Sequence, residues 1–215
     1  MPASATTLQL LVATGNPHKL SELRAIFEPL GIRAVGLDSL GRSFPEPEEN
    51  GSTFEENAAL KAQSYAFLTD RPCLADDSGL VVDALKGAPG VHSAYWAGIG
   101  STREERDAAN NLRLHAEMDG IALANRGARY VCCMCLAAPD GRILATSRGE
   151  LEGVVASKRR GVRGFGYDSL IELPPPDGRT VAELSDAEKN RISHRSVAAA
   201  RIAPMVAESL RSLAR

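Results

Sequence analysis

Two adjacent carboxylates, Asp76 and Asp77, are wedged between the apolar runs Cys73-Leu74-Ala75 and Leu80-Val81-Val82. Apolar runs of this length read as buried strand, so they put the acids at the mouth of buried strands rather than on a solvated loop. Carboxylates in that position hold a hard cation or activate water. Asp, Ser and Gly also favour turns. Ala75-Asp76-Asp77-Ser78-Gly79 therefore reads as a tight turn at which one apolar strand stops, with a further strand over residues 80–85.

The rest of the chain alternates strand and helix signals. Residues 8–13 read as a first buried strand, followed by Thr14-Gly15-Asn16-Pro17-His18 and a helix over about residues 19–30. There Leu20, Leu23, Phe27 and Leu30 recur at helical spacing, and Gly31 supplies the stop. A Pro- and Glu-rich loop over residues 44–51 leads to a second helix with two overlapping capping boxes, Ser52 with Glu55 and Thr53 with Glu56. Asn57 and Lys61, four apart, share a face of that helix. A third helix is predicted from near Thr102 to about Met118. Residues 130–138 and 142–147 form a hairpin turning at Pro139-Asp140-Gly141. Ser185 and Glu188 cap a short helix, and residues 196–213 form the last, which Pro204 should kink or interrupt. Alternating elements with an inserted hairpin predict an α/β fold with a mixed sheet.

At 215 residues the chain can bury a sizeable core without staples, as one large domain or as two lobes sharing a sheet. With 44% hydrophobic and 24% charged residues it is neither a disordered tail nor a fibrous repeat. The opening Met1-Pro2-Ala3-Ser4-Ala5-Thr6 lacks a basic segment, and the apolar stretch after it is short and interrupted by Gln9, so a cytoplasmic, membrane-free protein is expected. Cys132, Cys133 and Cys135 crowd one strand with no nearby histidine, a spacing that suits neither disulfides nor zinc. Buried free thiols are expected. The net charge of −2 gives no global field for nucleic acid, so a small phosphorylated ligand at a local basic site fits better than a duplex.

Several segments carry chemistry. Thr14-Gly15-Asn16-Pro17-His18-Lys19 joins a strand to a helix N-terminus, which aims unpaired N–H groups and the helix dipole at one point and suits an anion. Lys19 adds a full charge. The segment is no P-loop, lacking the second glycine and the Lys-Ser/Thr pair. Magnesium takes one or two carboxylates and completes its shell with waters and phosphate oxygens. Glu48 or Glu49 plus one acid of the Asp pair meets that need. Neighbours in an extended segment point to opposite sides, so Asp76 and Asp77 do different jobs, although spacing alone does not say which does what. The aromatics of Phe165-Gly166-Tyr167-Asp168, two apart with glycine between, make a flat face for a purine. Ser193-His194-Arg195 offers a row of donors between two helices, and the fixed donors of Arg195 suit a carbonyl.

Six segments together resemble the inosine/xanthosine triphosphate pyrophosphatase family. They are Ala13-Thr14-Gly15-Asn16 with Lys19; Thr53-Phe54 with Glu56-Asn57-Ala58 and Lys61-Ala62; Ala75-Asp76-Asp77-Ser78-Gly79-Leu80; Gly87-Ala88-Pro89-Gly90; Gly164-Phe165-Gly166-Tyr167-Asp168; and Ala182-Glu183-Leu184 through Lys189 to Ser193-His194-Arg195. The resemblance implies a single two-lobed α/β domain over residues 1–215, built around a long mixed central sheet with flanking helices and a nucleotide cleft between the lobes. It implies hydrolysis of ITP, dITP or XTP to the monophosphate and pyrophosphate, with Mg2+ as cofactor and a homodimer as assembly. By the same resemblance Thr14, Gly15, Asn16, Pro17, His18, Lys19 and Lys61 would hold the triphosphate. Glu48 and Asp77 would hold the metal, and Asp77 would act on the attacking water with Ser78 beside the substrate. Phe165 would stack on the base, while Gly166, Tyr167, Asp168, Lys189, His194 and Arg195 would close around it. Two places depart from the family pattern: Ser169 stands where Pro is common, and Tyr95-Trp96 where an Arg-aromatic pair is common.

Overall fold

The structure, a computed structural model, describes residues 8–213. The opening six residues discussed above lie outside them. In chain order the elements are β1 (Leu8–Ala13), α1 (Pro17–Phe27), β2 (Ile32–Gly36), α2 (Phe54–Thr69), β3 (Cys73–Val82), α3 (Arg103–Glu117), β4 (Gly127–Ala137), β5 (Ile143–Val155), β6 (Ile171–Glu172), α4 (Asp186–Ile192) and α5 (His194–Leu213). The strands form one six-stranded sheet in the order β2-β1-β3-β4-β5-β6. β1 runs parallel to both β2 and β3, whereas β5 and β6 are antiparallel, so the sheet is mixed as expected.

Strands β1, β3 and β4 are buried on both faces, whereas β5 is covered on one. Leu10, Leu11, Val12 and Ala13 of β1 are all buried, and β4 is buried from Tyr130 onward, which is why Tyr-Val-Cys-Cys-Met-Cys-Leu-Ala is almost wholly apolar. All four cysteines are buried free thiols. β5 alternates instead, burying Ala145, Gly149, Gly153 and Val155 between exposed neighbours, the pattern of a strand with one covered face.

Two compact units emerge, each with its own core. The first takes the described residues up to Asp77 together with Cys132–Gly149 and the chain from Arg195 onward. Its core packs Leu10, Val12, Leu74 and Leu136 against Leu23 and Phe27 of α1 and the Ala198, Ala199, Ile202 and Val206 stripe of α5. The second unit, Ser78–Val131 and Glu150–His194, has a core of Leu80, Val82, Leu114, Met118, Leu170 and Ile171. Three strands, β3, β4 and β5, give residues to both.

The acidic segment is not a turn. β3 runs ten residues straight through Asp76-Asp77-Ser78-Gly79, because ladder hydrogen bonds and the buried apolar residues on either side outweigh the local turn preference. Strand β2 carries no expectation above; its five residues are too few to show a period. Helix α1 begins at Pro17, two residues before the expected start, since proline is already suited to the first helical position. Residues 28–30, expected in the same helix, form a separate turn of 3-10 helix. Helix α5 starts at His194 and continues past Pro204, which lies on its exposed side while Ile202, Ala203 and Val206 stay in the core. Among the described residues no helix is long and apolar enough to cross a membrane. Phe27 is fully buried; Phe27→Ala is expected to lower unfolding free energy by about 3–5 kcal/mol in urea titration.

Candidate active site

Register brings the anion loop to the acids. β1 pairs Ala13 with Ala75, so the chain leaves β1 beside Asp76 and enters α1 there. Asn16 caps that helix, its side chain accepting from the His18 N–H at 3.0 Å, while its own N–H donates to Thr14 Oγ1 at 3.1 Å. Lys19 follows in the first turn and places Nζ 3.0 Å from Asp76 Oδ2. The same oxygen takes Arg195 Nη2 at 3.3 Å and the Cys132 thiol at 3.8 Å, and Arg195 also pairs with Glu22 of α1. Burial of Asp76 opposes its charge, but Lys19, Arg195 and Lys61 outweigh it and hold the carboxyl well below the usual carboxylate range.

Asp77 has different partners, as strand alternation requires. Its Oδ1 lies 3.2 Å from Lys61 Nζ and its Oδ2 accepts from Asn57 Nδ2 at 3.2 Å. Those two side chains reach it together because they are four apart on α2, a helix fixed at its start by the reciprocal Thr53–Glu56 capping box. Burial pushes the Asp77 carboxyl above its ordinary value despite Lys61 and Lys19, and the charge of Glu49 adds to the rise. Burial works against the Lys61 charge as well, yet Asp77, Asp76 and Glu49 raise its pKa and keep it an ammonium.

The second unit gathers the aromatic and donor groups. Asp168 is buried and spends both oxygens: Tyr130 O–H donates to Oδ1 at 3.0 Å, and the Phe165 N–H and Lys189 Nζ donate to Oδ2 at 3.0 and 2.8 Å. The Lys189 ammonium lies 4.5 Å from the Phe165 ring centre, and the Arg103 guanidinium 5.1 Å from it. His194 stacks on Tyr130 with ring centres 4.9 Å apart. Gly164 must be glycine: its φ is +76°, and a Cβ there would stand 2.1 Å from Asp168 Oδ2.

Three side chains near the expected site have partners that the sequence does not announce. Both loop acids are exposed, and it is Glu49 that meets α2, with its Oε2 2.9 Å from Lys61 Nζ. The reason is that Asn57 Oδ1 accepts from the Gly51 N–H at 2.8 Å, fixing the loop end so that Glu49 faces α2. Arg195 was expected at the base, but its guanidinium is buried against Asp76 and Glu22 in the first unit, where it braces the carboxylate cluster. Tyr167 is buried as well and donates its hydroxyl to the Ser93 carbonyl at 2.9 Å; it anchors the turn from beneath. Glu22 was missed, and Asn57, read as sharing a helix face with Lys61, was given no role at the site. Ser78 is half-buried beside Asp77.

The donor set fits a hard divalent cation. Oxygens of Glu49 and Asp77 converge on one ammonium, Lys61, so two carboxylates face a common point where positive charge is already accommodated. Asp76 Oδ1 is buried with no hydrogen-bond partner among the described residues. One or two carboxylates are what magnesium takes from a protein when phosphate and water supply the rest.

The chain and its fold are similar to known proteins. The model of the Ham1 family matches residues 10–205. The chain belongs to the Ham1 family. Among its relatives, a dITP/XTP pyrophosphatase from Exiguobacterium sp. (strain ATCC BAA-1283 / AT1b) is 47% identical over 191 residues, covering 89% of this chain and 93% of that protein. Another so named, from Anaeromyxobacter sp. (strain Fw109-5), is 43% identical over 218 residues, with 91% and 95% covered. The solved HAM1 protein from Coxiella burnetii superposes with a TM-score of 0.81 at 35% identity, covering 94% of this chain and 99% of that one.

The Asp76 ion pairs predict an acid-dependent stability for this Ham1 chain. In the unfolded state Asp76 titrates near its ordinary value of 3.8, and in the folded state well below it. The pairs therefore stabilise fully above about pH 4 and are lost as pH falls through the depressed folded value. Asp76→Asn should cost about 3–5 kcal/mol at pH 7, because Lys19 and Arg195 lose a buried counter-charge. The gap to the parent protein should narrow in denaturant titrations run below pH 4.

Proposed function

We propose that this chain is a magnesium-dependent pyrophosphatase of non-canonical purine nucleoside triphosphates, converting ITP, dITP and XTP to the nucleoside monophosphate and pyrophosphate. The relatives named dITP/XTP pyrophosphatase support the substrate class. The observation that carries the chemistry is the split of β3's adjacent acids, Asp76 clamped by two cations and Asp77 left with a raised pKa beside Lys61. A carboxylate whose pKa is raised is a stronger base, suited to taking a proton from the water that attacks the α-phosphorus. Lys19, Lys61 and the first turn of α1 meet the negative oxygens of the triphosphate, and this fixed positive charge offsets what develops on the departing pyrophosphate. Asp77 and Glu49 would hold the magnesium ion, which supplies further charge neutralisation and orients the phosphate chain. For the base, Phe165 offers the stacking face with the Lys189 ammonium 4.5 Å from its ring centre, and His194, stacked on Tyr130, is a further donor. A donor that suits a six-position carbonyl faces an amino group in adenine, a buried mismatch of about 1–3 kcal/mol. That is roughly tenfold to more than a hundredfold in selectivity. The cytoplasmic setting and the homodimer are carried by family resemblance, and light scattering of the purified protein reads the second.

Incubation with ITP, XTP, dITP, ATP and GTP in the presence of magnesium should release pyrophosphate and monophosphate from the first three and far less from the last two. Orthophosphate as the direct product, or equal turnover of ATP, would sink the proposal. Asp77→Asn keeps the shape of the side chain and removes the base, so turnover should fall by about 10²–10⁴ while the far-ultraviolet spectrum is unchanged.

A further inference from the structure

One face of α3 grips the turn that carries Phe165. Arg103, Asp107 and Asn111 recur every fourth residue and so line up along the helix. Asp107 Oδ2 accepts the Gly166 N–H at 2.8 Å, and Asn111 Nδ2 donates to the Gly166 carbonyl at 2.7 Å and to the Asp107 carbonyl at 2.6 Å. Both neighbours of that nitrogen are carbonyl oxygens, which fixes the orientation of the amide. Arg103 reaches past the turn to lie over the Phe165 ring, its Nε 3.9 Å from Asp107 Oδ2.

Gly166 is the residue most in need of restraint. Its φ is +60° and nothing lies within 4 Å of where a Cβ would be, so it has the full conformational freedom of glycine. Its flanks are tied separately: Phe165 through Asp168, and Tyr167 through the Ser93 carbonyl, which also accepts from Asn110 Nδ2 at 3.0 Å. Asp107 and Asn111 restrain both polar groups of the glycine between them. The helix itself needs neither, being capped by Thr102 with Glu105 and held in the core by Leu114. Burying an asparagine costs stability unless its polar atoms are used; Asn111 spends its Nδ2 on this grip, while its Oδ1 is buried with no hydrogen-bond partner among the described residues.

We infer that Asp107 and Asn111 are positioning residues that set the pose of Phe165 as the stacking platform, and so govern base affinity and base choice. The inference rests on the pyrophosphatase reading for what Phe165 meets. Asn111→Ala and Asp107→Ala should each raise KM for ITP about tenfold, the size of one lost hydrogen bond, with kcat within about twofold. The ITP-over-ATP preference should shrink with it, and hydrogen exchange at the Gly166 amide should quicken. Asp107→Asn, which can still accept but without charge, should show a smaller rise than Asp107→Ala. Leu114→Ala, a core change in the same helix, should lower the melting temperature and leave KM unchanged. The inference fails if the Asp107 and Asn111 variants keep the parental KM and preference, or if Leu114→Ala raises KM as much as they do. Absence of pyrophosphate release from ITP by the parent protein would overturn the functional reading instead. The exchange at Gly166 needs no substrate and reports on the grip in either case.

Discussion

Everything in the first unit is organised by alternation along a single strand. Because β3 stays extended through Asp76 and Asp77, two neighbouring carboxylates must face different surroundings, and the chain supplies each with its own cations. Asp76 collects Lys19 from α1 and Arg195 from the start of α5, while Asp77 collects Lys61 and Asn57 from α2. Three helices are thus tied to adjacent residues of one strand. A buried carboxylate would be untenable without these partners, and the partners would be untenable without it.

Much of this was legible in the sequence, and the reasons differ by segment. Of the two capping boxes read for α2, each a local pattern with donor and acceptor three residues apart, Thr53 with Glu56 is present, whereas Ser52 bonds Glu56 rather than Glu55. The four-residue spacing of Asn57 and Lys61 gave their shared face, again from local geometry. The Asp-Asp-Ser-Gly segment was misread as a turn because turn preference is local, whereas strand pairing with β1 is set by residues some sixty positions away. That Arg195 pairs with Asp76 and Glu22 was not legible, for the same kind of reason. Its donors suit a carbonyl or a carboxylate equally well, and only the fold decides which oxygen it meets.

Glu48 and Glu49 show where residue type runs out of information. Both are acids in one extended loop, and which of them faces α2 depends on the bond from the Gly51 N–H to Asn57 Oδ1, a contact across six residues. Asn57 thereby serves two purposes, with its carbonyl setting the loop and its amide nitrogen holding Asp77. An asparagine can do both because it carries donor and acceptor on one planar group. An aspartate there would have no donor for Asp77, and it would add a third negative charge beside Asp77 and Glu49.

The contrast between the two acids also explains how one strand can hold a structural anchor and a reactive group side by side. Asp76 receives two cations and a thiol on a single oxygen, enough to overcome complete burial and keep it ionised. Asp77 receives one ammonium that it must share with Glu49, together with a neutral amide, which is not enough to overcome its burial. Pairs of titratable groups whose environments push their pKa values apart mark a division of labour. Here the division comes from counting cations: the acid with the larger share holds the helices in place, and the acid with the smaller share is left able to accept a proton.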